Sequence, residues 1–411
     1  MRAGIVAPNF FHRIRTRGYN VRFLFLIRNV NFFFARMATC KFASMLSARS
    51  SIVILGCVVA ACSSSEAPSP NNPNPTPDPV VPYADFMRAA DLSFLPEIEG
   101  EGTVFLSNND TPSDVIVLLR SRGCNAIRVR LWHTPADVHS SLDEVEDLVE
   151  RIRTAGMKVY ISLHYSDTWA DPGNQTMPLA WNGLSFTDLK DSVYLYTKKV
   201  MTRLQPEYVQ IGNEINGGML WEAGRISNLG SFFALVKEGC KAVREIKADA
   251  KIMLHFAGTQ NADWFFTQAK NQNVDYDLIG LSYYPVWHGT SLDVLKSSIN
   301  ALITVTSKPV VLAEIAYPFT LGWNDNTNNI VGQSDQLVPG YPATPEGQKD
   351  YLLAIKTMLK QNSKGAGFCY WGAEWVAFRG VSATDGSAAE NQALFSFNIF
   401  KELPATAAFA E

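Results

Sequence analysis

Acidic residues are missing from the first 65 positions, which hold eight arginines and one lysine before the first carboxylate, Glu66. Setting those nine positive charges aside leaves 27 basic against 39 acidic residues, so the chain's net charge of -3 hides a body of net -12. An acidic body offers no surface for neutralising phosphates and excludes nucleic acid as a partner. Cysteine is scarce. Beyond the first 65 residues only Cys124, Cys240 and Cys369 remain, an odd number with no pair at metal-site spacing. That excludes a disulfide framework and leaves small buried thiols. No His-Glu-x-x-His spacing occurs, so nothing marks a catalytic zinc. No Gly-rich phosphate turn follows the first strand-like run, which weakens the case for an open doubly wound sheet.

Long apolar runs are also missing. Ser51 to Cys62 is apolar, follows Lys41 and Arg49, and ends in small residues. It is too short to span a bilayer and fits the core of a signal peptide. Val59-Ala60-Ala61-Cys62 resembles a bacterial lipobox, which predicts export and a lipid anchor on Cys62 in an outer membrane; a plain secretory signal is the alternative. Residues 1–44 read as a basic extension upstream of the true start, since Met37 or Met45 opens a better signal, and residues 45–61 as the signal itself. Residues 62–82 form a Pro/Asn/Ser-rich linker, kept extended by seven prolines between Pro68 and Pro82. Residues 83–411 form the folded body, expected to work as a tethered monomer whose only membrane contact is the lipid.

What is present is alternation. Strand-like apolar runs occur near Asp91 to Ile98, Asn125 to Leu131, Lys158 to Leu163, Tyr208 to Ile211, Lys251 to Phe256, Leu278 to Tyr283, Pro309 to Ala313 and Ala366 to Tyr370. Helical patterns lie between them, at Leu142 to Gly156, Asp188 to Leu204, Leu229 to Ile246, Ala262 to Asn271, Ser291 to Val305 and Pro345 to Gln361. Eight buried strands alternating with helices predict an α/β fold, a single closed (β/α)₈ TIM barrel with its chemistry at the carboxyl ends of the strands.

Two of those ends carry glutamates. Val209-Gln210-Ile211-Gly212-Asn213-Glu214 and Pro309-Val310-Val311-Leu312-Ala313-Glu314 both stop at a carboxylate with little packing purpose. A pair of carboxyls about 5 to 5.5 Å apart, one protonated and one ionised, is the equipment for glycoside cleavage with retention. The bland alternative is a structural salt bridge for each. Arg128 and Arg130 alternate on the second strand, so they share a face, and one is placed to keep a carboxylate ionised. Aromatic residues follow strand tips, among them Trp132, Trp169, Tyr283, Trp287 and Trp371, with His164, Asp167 and His255 among them. Singly these are core residues; together in loops they suit stacking on sugar faces.

These blocks resemble glycoside hydrolase family 53, the endo-β-1,4-galactanases. The resemblance rests on Asn125-Ala126-Ile127-Arg128-Val129-Arg130-Leu131-Trp132, His164-Tyr165-Ser166-Asp167-Thr168-Trp169, Gln210-Ile211-Gly212-Asn213-Glu214, Ser282-Tyr283-Tyr284-Pro285-Val286-Trp287 and Ala313-Glu314-Ile315-Ala316-Tyr317-Pro318. It implies a retaining barrel glycosidase that cuts internal β-1,4 links of galactan and arabinogalactan side chains in pectin, with no cofactor for catalysis. It implies Glu214 as acid/base and Glu314 as nucleophile, with Arg128 and Tyr283 holding the nucleophile. Asn213, Asp167, Trp169, His255, Trp287 and Trp371 would meet the substrate. Some bacterial members hold a structural calcium in the seventh loop. Here Asp325, Thr327 and Asn329 alternate and offer hard oxygens, Asp325 and Asn329 being the candidate ligands; a turn satisfied by its own backbone is the alternative. The eighth strand departs from the family pattern, reading Trp371-Gly372-Ala373-Glu374-Trp375. The rivals are the same chemistry on another β-1,4 glycan and a surface glycan-binding protein without catalysis.

Overall fold

The computed structural model describes residues 80–411. The signal, the lipidated cysteine and most of the linker expected from the sequence lie outside the described residues. Eight parallel strands close into a barrel in chain order: β1 (Met87–Asp91), β2 (Ala126–Leu131), β3 (Lys158–Leu163), β4 (Tyr208–Ile211), β5 (Lys251–Ala257), β6 (Leu278–Tyr283), β7 (Val310–Ile315) and β8 (Gly365–Tyr370). The helices are α1 (Leu95–Gly100), α2 (Val115–Ser121), α3 (Leu142–Thr154), α4 (Phe186–Leu204), α5 (Leu229–Ile246), α6 (Ala262–Asn271), α7 (Pro285–His288), α8 (Leu292–Thr306) and α9 (Pro345–Lys360). Polar caps start six of the helices. Asp114 accepts from the Ile116 and Val117 amides, and Ser141, Ser185, Asn228, Ser291 and Thr344 each accept one amide of the following turn.

One expected strand is corrected. Asp91 to Ile98 is not β1: β1 ends at Asp91, and Leu95–Gly100 is a short helix with Pro96 in its first turn. Proline has no amide to give a central ladder but fits the start of a helix. The apolar residues of that run, Leu92, Phe94, Leu95 and Ile98, are buried under the barrel mouth instead.

Strand pleating then sorts each side chain. Along β2, Ile127, Val129 and Leu131 face the helices, while Ala126, Arg128 and Arg130 face the axis. The same alternation sends Tyr160 and Ser162, Tyr208 and Gln210, Met253 and His255 inward. The lower interior is therefore an apolar plug of Met87, Ala89, Ala126, Tyr160, Tyr208, Met253, Leu278, Val311, Ala313, Ala366 and Cys369. The upper interior is polar, and all of it is buried. Gly280 belongs to this packing, because a Cβ there would stand 2.5 Å from the Met253 sulfur. Cys124, Cys240 and Cys369 are free and buried.

Strand β7 breaks the alternation at one place. Leu312 pairs with Leu281 of β6, but the next β6 residue, Ser282, pairs with Glu314. On the other side Leu312 pairs with Phe368 and Ile315 with Tyr370, three steps against two. The extra residue is a bulge. Leu312 and Ile315 both pack outward, and Ala313 and Glu314 between them both face the axis. Without it, the residue after an inward Ala313 would point into the helix layer.

Candidate active site

A cleft of about 700 Å³ opens over the carboxyl ends of the strands. Its walls include Arg128, Trp169, Asn213, Glu214, Glu314 and Trp371. Both glutamates are thus in one concavity, as are the expected Arg128, Asn213, Trp169, Trp287 and Trp371.

Glu314 is held by two donors. Arg128 Nη2 stands 2.7 Å from its Oε1, and the Tyr284 hydroxyl donates to Oε2 at 2.8 Å. Arg128 is itself locked: Nη1 donates to Asp91 Oδ2 at 2.6 Å, and Nη2 also donates to Asn213 Oδ1 at 2.8 Å. Burial pushes the Glu314 carboxyl upward, while the Arg128 charge and the Tyr284 bond pull against it. Glu214 has no such cation. Burial first, and then the neighbouring charge of Glu314, raise it to about 8, with the Ser282 hydroxyl at 2.5 Å from Oε1 the main opposing influence. Two carboxyls sharing a site do not both ionise readily. The proton of the pair therefore resides on Glu214 at neutral pH, and Glu314, beside the guanidinium, carries the charge.

Asn213 joins the halves of the site. Its Oδ1 accepts from Arg128 and from Gln210 Nε2 at 2.9 Å, and its Nδ2 donates to the Ala170 carbonyl at 2.8 Å. Trp169 forms a wall over Arg130, whose guanidinium lies 4.1 Å from the Trp169 ring, 4.6 Å from Phe94 and 4.7 Å from Trp132. Arg130 thus braces an aromatic wall, whereas Arg128 meets the carboxylate. Trp287 is 60% exposed, a large apolar face open to solvent at the cleft edge.

Three expected placements are corrected. Tyr283 does not hold Glu314: it faces outward, and its hydroxyl donates to the Gly289 carbonyl at 2.7 Å. Tyr284, one residue on, faces inward and takes that role. Asp167 is not at the cleft; its two oxygens accept the Thr134 and Leu179 amides at 3.0 and 2.8 Å, tying loops together. Asp171 lines the cleft instead. His255 is fully buried one layer beneath the opening, between Asn213 and Ser282, so it lines no wall. Asp91 and Ser282 were missed, and Tyr284 was read only as one of the aromatics after strand tips, although parity along β6 puts Ser282 and Tyr284 on the same inward face as Gly280.

The loop after β7 meets the segment after β8, where the Asn324 and Asp325 amides donate to Glu390 Oε1. Asp325 Oδ2, Asn329 Oδ1 and Glu390 Oε2 are all buried and unpaired. Thr327 Oγ1 and Asp325 Oδ2 both approach Gly386, where a Cβ would meet the Asp325 oxygen at 2.2 Å. Among the described residues no group of three His, Cys, Asp or Glu side chains converges as a metal site; this cluster is made of two carboxylates and neutral oxygens.

The sequence model of glycosyl hydrolase family 53 matches residues 87–409. An arabinogalactan endo-β-1,4-galactanase of Cellvibrio japonicus is 37% identical over 310 residues, 72% of this chain and 82% of the relative. The family 53 catalytic domain of Ignisphaera aggregans superimposes with a TM-score of 0.75 at 34% identity, covering 80% of this chain and 98% of that one. A fungal β-1,4-galactanase superimposes at 0.69 with 30% identity over 79% and 98%. With the family pattern running almost the whole length of the barrel, and Glu214 and Glu314 lining one cleft at its mouth, the chain belongs to glycosyl hydrolase family 53 and is a glycosidase.

Proposed function

We propose that the protein is an endo-acting β-1,4-galactanase that cleaves internal links of galactan and arabinogalactan chains with retention of configuration. The observation that carries the reading is the unequal treatment of two carboxyls lining one cleft, Glu314 buried and Glu214 half-buried. Glu314 sits under Arg128 and Tyr284, and Glu214 is pushed up to about 8 with no cation in contact. The galactanase names of the relatives support the substrate, and the aromatic walls Trp169, Trp287 and Trp371 suit the faces of pyranose rings.

The chemistry follows from those protonation states. The ionised Glu314 attacks the anomeric carbon while neutral Glu214 gives its proton to the departing glycosidic oxygen. The bond to the leaving sugar breaks as the bond to Glu314 forms. Glu214, now a carboxylate, takes a proton from water, and that water displaces Glu314 with a second inversion. Arg128 and Tyr284 keep Glu314 charged and oriented before attack and receive the carboxylate again on release. No metal takes part in these steps.

The seventh-loop cluster fits a hard divalent cation of the calcium type, because its oxygens are buried, partly anionic and without donors. Asp325, Asn329 and Glu390 would hold it, and it would fix the loop that carries Ile330 to the edge of the cleft.

Glu314→Gln should reduce galactan hydrolysis to background while galactan oligosaccharides still bind. Glu214→Gln should lose roughly 10² to 10⁴-fold on galactan. Reducing-sugar release and isothermal titration read the two effects. A Glu314→Gln variant that cuts galactan at the wild-type rate overturns the assignment.

A further inference from the structure

Ser282 and His255 form a buried chain behind Glu214 whose direction can be worked out atom by atom. Both are fully buried, so neither is a wall of the cleft. Ser282 Oγ lies 2.5 Å from Glu214 Oε1 and 2.9 Å from His255 Nε2. Burial, reinforced by the Arg128 charge, keeps His255 well below the ordinary imidazole range, so the ring is neutral and has a single N–H.

The neighbours decide which nitrogen bears it. Gln210 Nε2 lies 3.0 Å from His255 Nδ1, and the Glu214 backbone amide donates to the same atom at 3.3 Å. The amide orientation of Gln210 is fixed at its other end, where Oε1 accepts the Tyr160 hydroxyl at 2.6 Å. Asn213 Oδ1 also lies 3.1 Å from Nδ1, but both its lone pairs are taken by Arg128 Nη2 and Gln210 Nε2, so Nδ1 meets two N–H donors and a filled oxygen and presents its lone pair. The proton is therefore on Nε2, which donates to Ser282 Oγ. With that acceptor position filled, the Ser282 hydroxyl hydrogen points to Glu214 Oε1.

From this polarity we infer that Ser282 is a positioning residue for the acid/base step: it reserves Oε1 of Glu214 as an acceptor, so that Oε2 carries the proton given to the leaving oxygen. The inference rests on the acid/base reading of Glu214. Among the described residues no side chain or amide bonds Oε2, which is left for the substrate. In the first half-reaction the Oε2–H bond breaks as the leaving oxygen takes the proton and the electron pair of the C1–O bond. The carboxylate produced keeps the Ser282 O–H on Oε1. In the second half Oε2 accepts the proton of the attacking water.

The arrangement has a signature that packing alone would not give. A hydroxyl donor favours the ionised carboxyl, so Ser282 draws Glu214 down while burial, Glu314 on β7 and Asp171 on the loop after β3 raise it and Arg128 on β2 lowers it. The other groups facing it, His255 on β5 and Tyr284, are neutral.

The test is the pH dependence of kcat/KM on β-1,4-galactan for the full chain. In Ser282→Ala the alkaline limb should move up by on the order of half to one pH unit, with a fall of about tenfold in kcat. Ser282→Thr, which keeps the hydroxyl, should return the limb to its wild-type position. Ser282→Cys keeps the volume with a weaker donor and should shift in the same direction as Ala; it carries the test if the Ala variant does not fold. A limb that stays in place in both Ala and Cys variants of an active enzyme overturns this inference alone. A wild type that is inactive on galactan would overturn the proposed function instead.

Discussion

Tyr283 and Tyr284 are adjacent and chemically identical, and only the pleat of β6 separates their roles. Tyr283 continues the outward set with Leu281, and Tyr284 the inward set with Ser282. A hydrogen bond to a charged group contributes roughly 1.5 to 3 kcal/mol. Tyr284→Phe should therefore lower kcat/KM on galactan by about tenfold or more, and Tyr283→Phe should leave it within a factor of about two while lowering the melting temperature. Steady-state kinetics on the two variants decide; equal losses would contradict the assignment. The motif Ser282-Tyr283-Tyr284 was legible in the sequence, but its phase was not. Counting parity from Gly280 would have recovered it. Arg128 and Arg130 were readable as a same-face pair because β2 is regular throughout. What divides their work, a carboxylate above one and three aromatic rings around the other, comes from separate segments of the chain and has no local signal. Asp167 and Asp171 differ for the same reason: both follow β3 and both accept backbone amides, and only the folded loop shows that Asp171 also borders the cleft.

At the level of elements, the least legible feature is the bulge in β7. The glutamate at the strand end was plain in Leu312-Ala313-Glu314-Ile315, yet nothing in those letters says that two consecutive residues face inward. The extra step appears only against the ladders of β6 and β8. β1 failed differently. The stronger apolar run belonged to a turn and a short helix, and Ala89 and Ala90, small enough to pack at the barrel wall, gave β1 little apolar contrast. Pro96 was the available warning. The segment after β7 offers its own test. Asp325 Oδ2, Asn329 Oδ1 and Glu390 Oε2 are buried without donors, and a cation bound there only in the folded form would stabilise it by mass action. Millimolar calcium should raise the melting temperature by a few degrees and a chelator should reverse it, with magnesium ineffective. Asp325→Ala should abolish the response. A melting curve indifferent to both calcium and chelator would leave the loop as a self-satisfied turn.

For the whole molecule, the polar upper half of the barrel is where stability and chemistry conflict. The apolar plug below is satisfied by packing, but above it two carboxyls share one site, Glu314 charged and Glu214 kept neutral. Glu214 is raised to about 8, first by burial and then by Glu314. In the unfolded chain it ionises at an ordinary value of about 4.3. Between these values the folded state holds a proton that the unfolded state has released. Fewer protons bound when unfolded means that unfolding becomes easier as pH rises. The stabilisation from this group is thus full below the unfolded value and lost as pH climbs through the folded one, at about 1.4 kcal/mol per pH unit in between. Glutamine fills the same space and does not titrate. Glu214→Gln should therefore melt close to the wild type at pH 4, and its advantage should grow with pH up to about 8, reaching a few kcal/mol. Calorimetric melts of both proteins across that range read the difference directly. A gap that is constant with pH would mean that Glu214 titrates normally in the folded enzyme, and that the proton needed for the leaving sugar is not stored there.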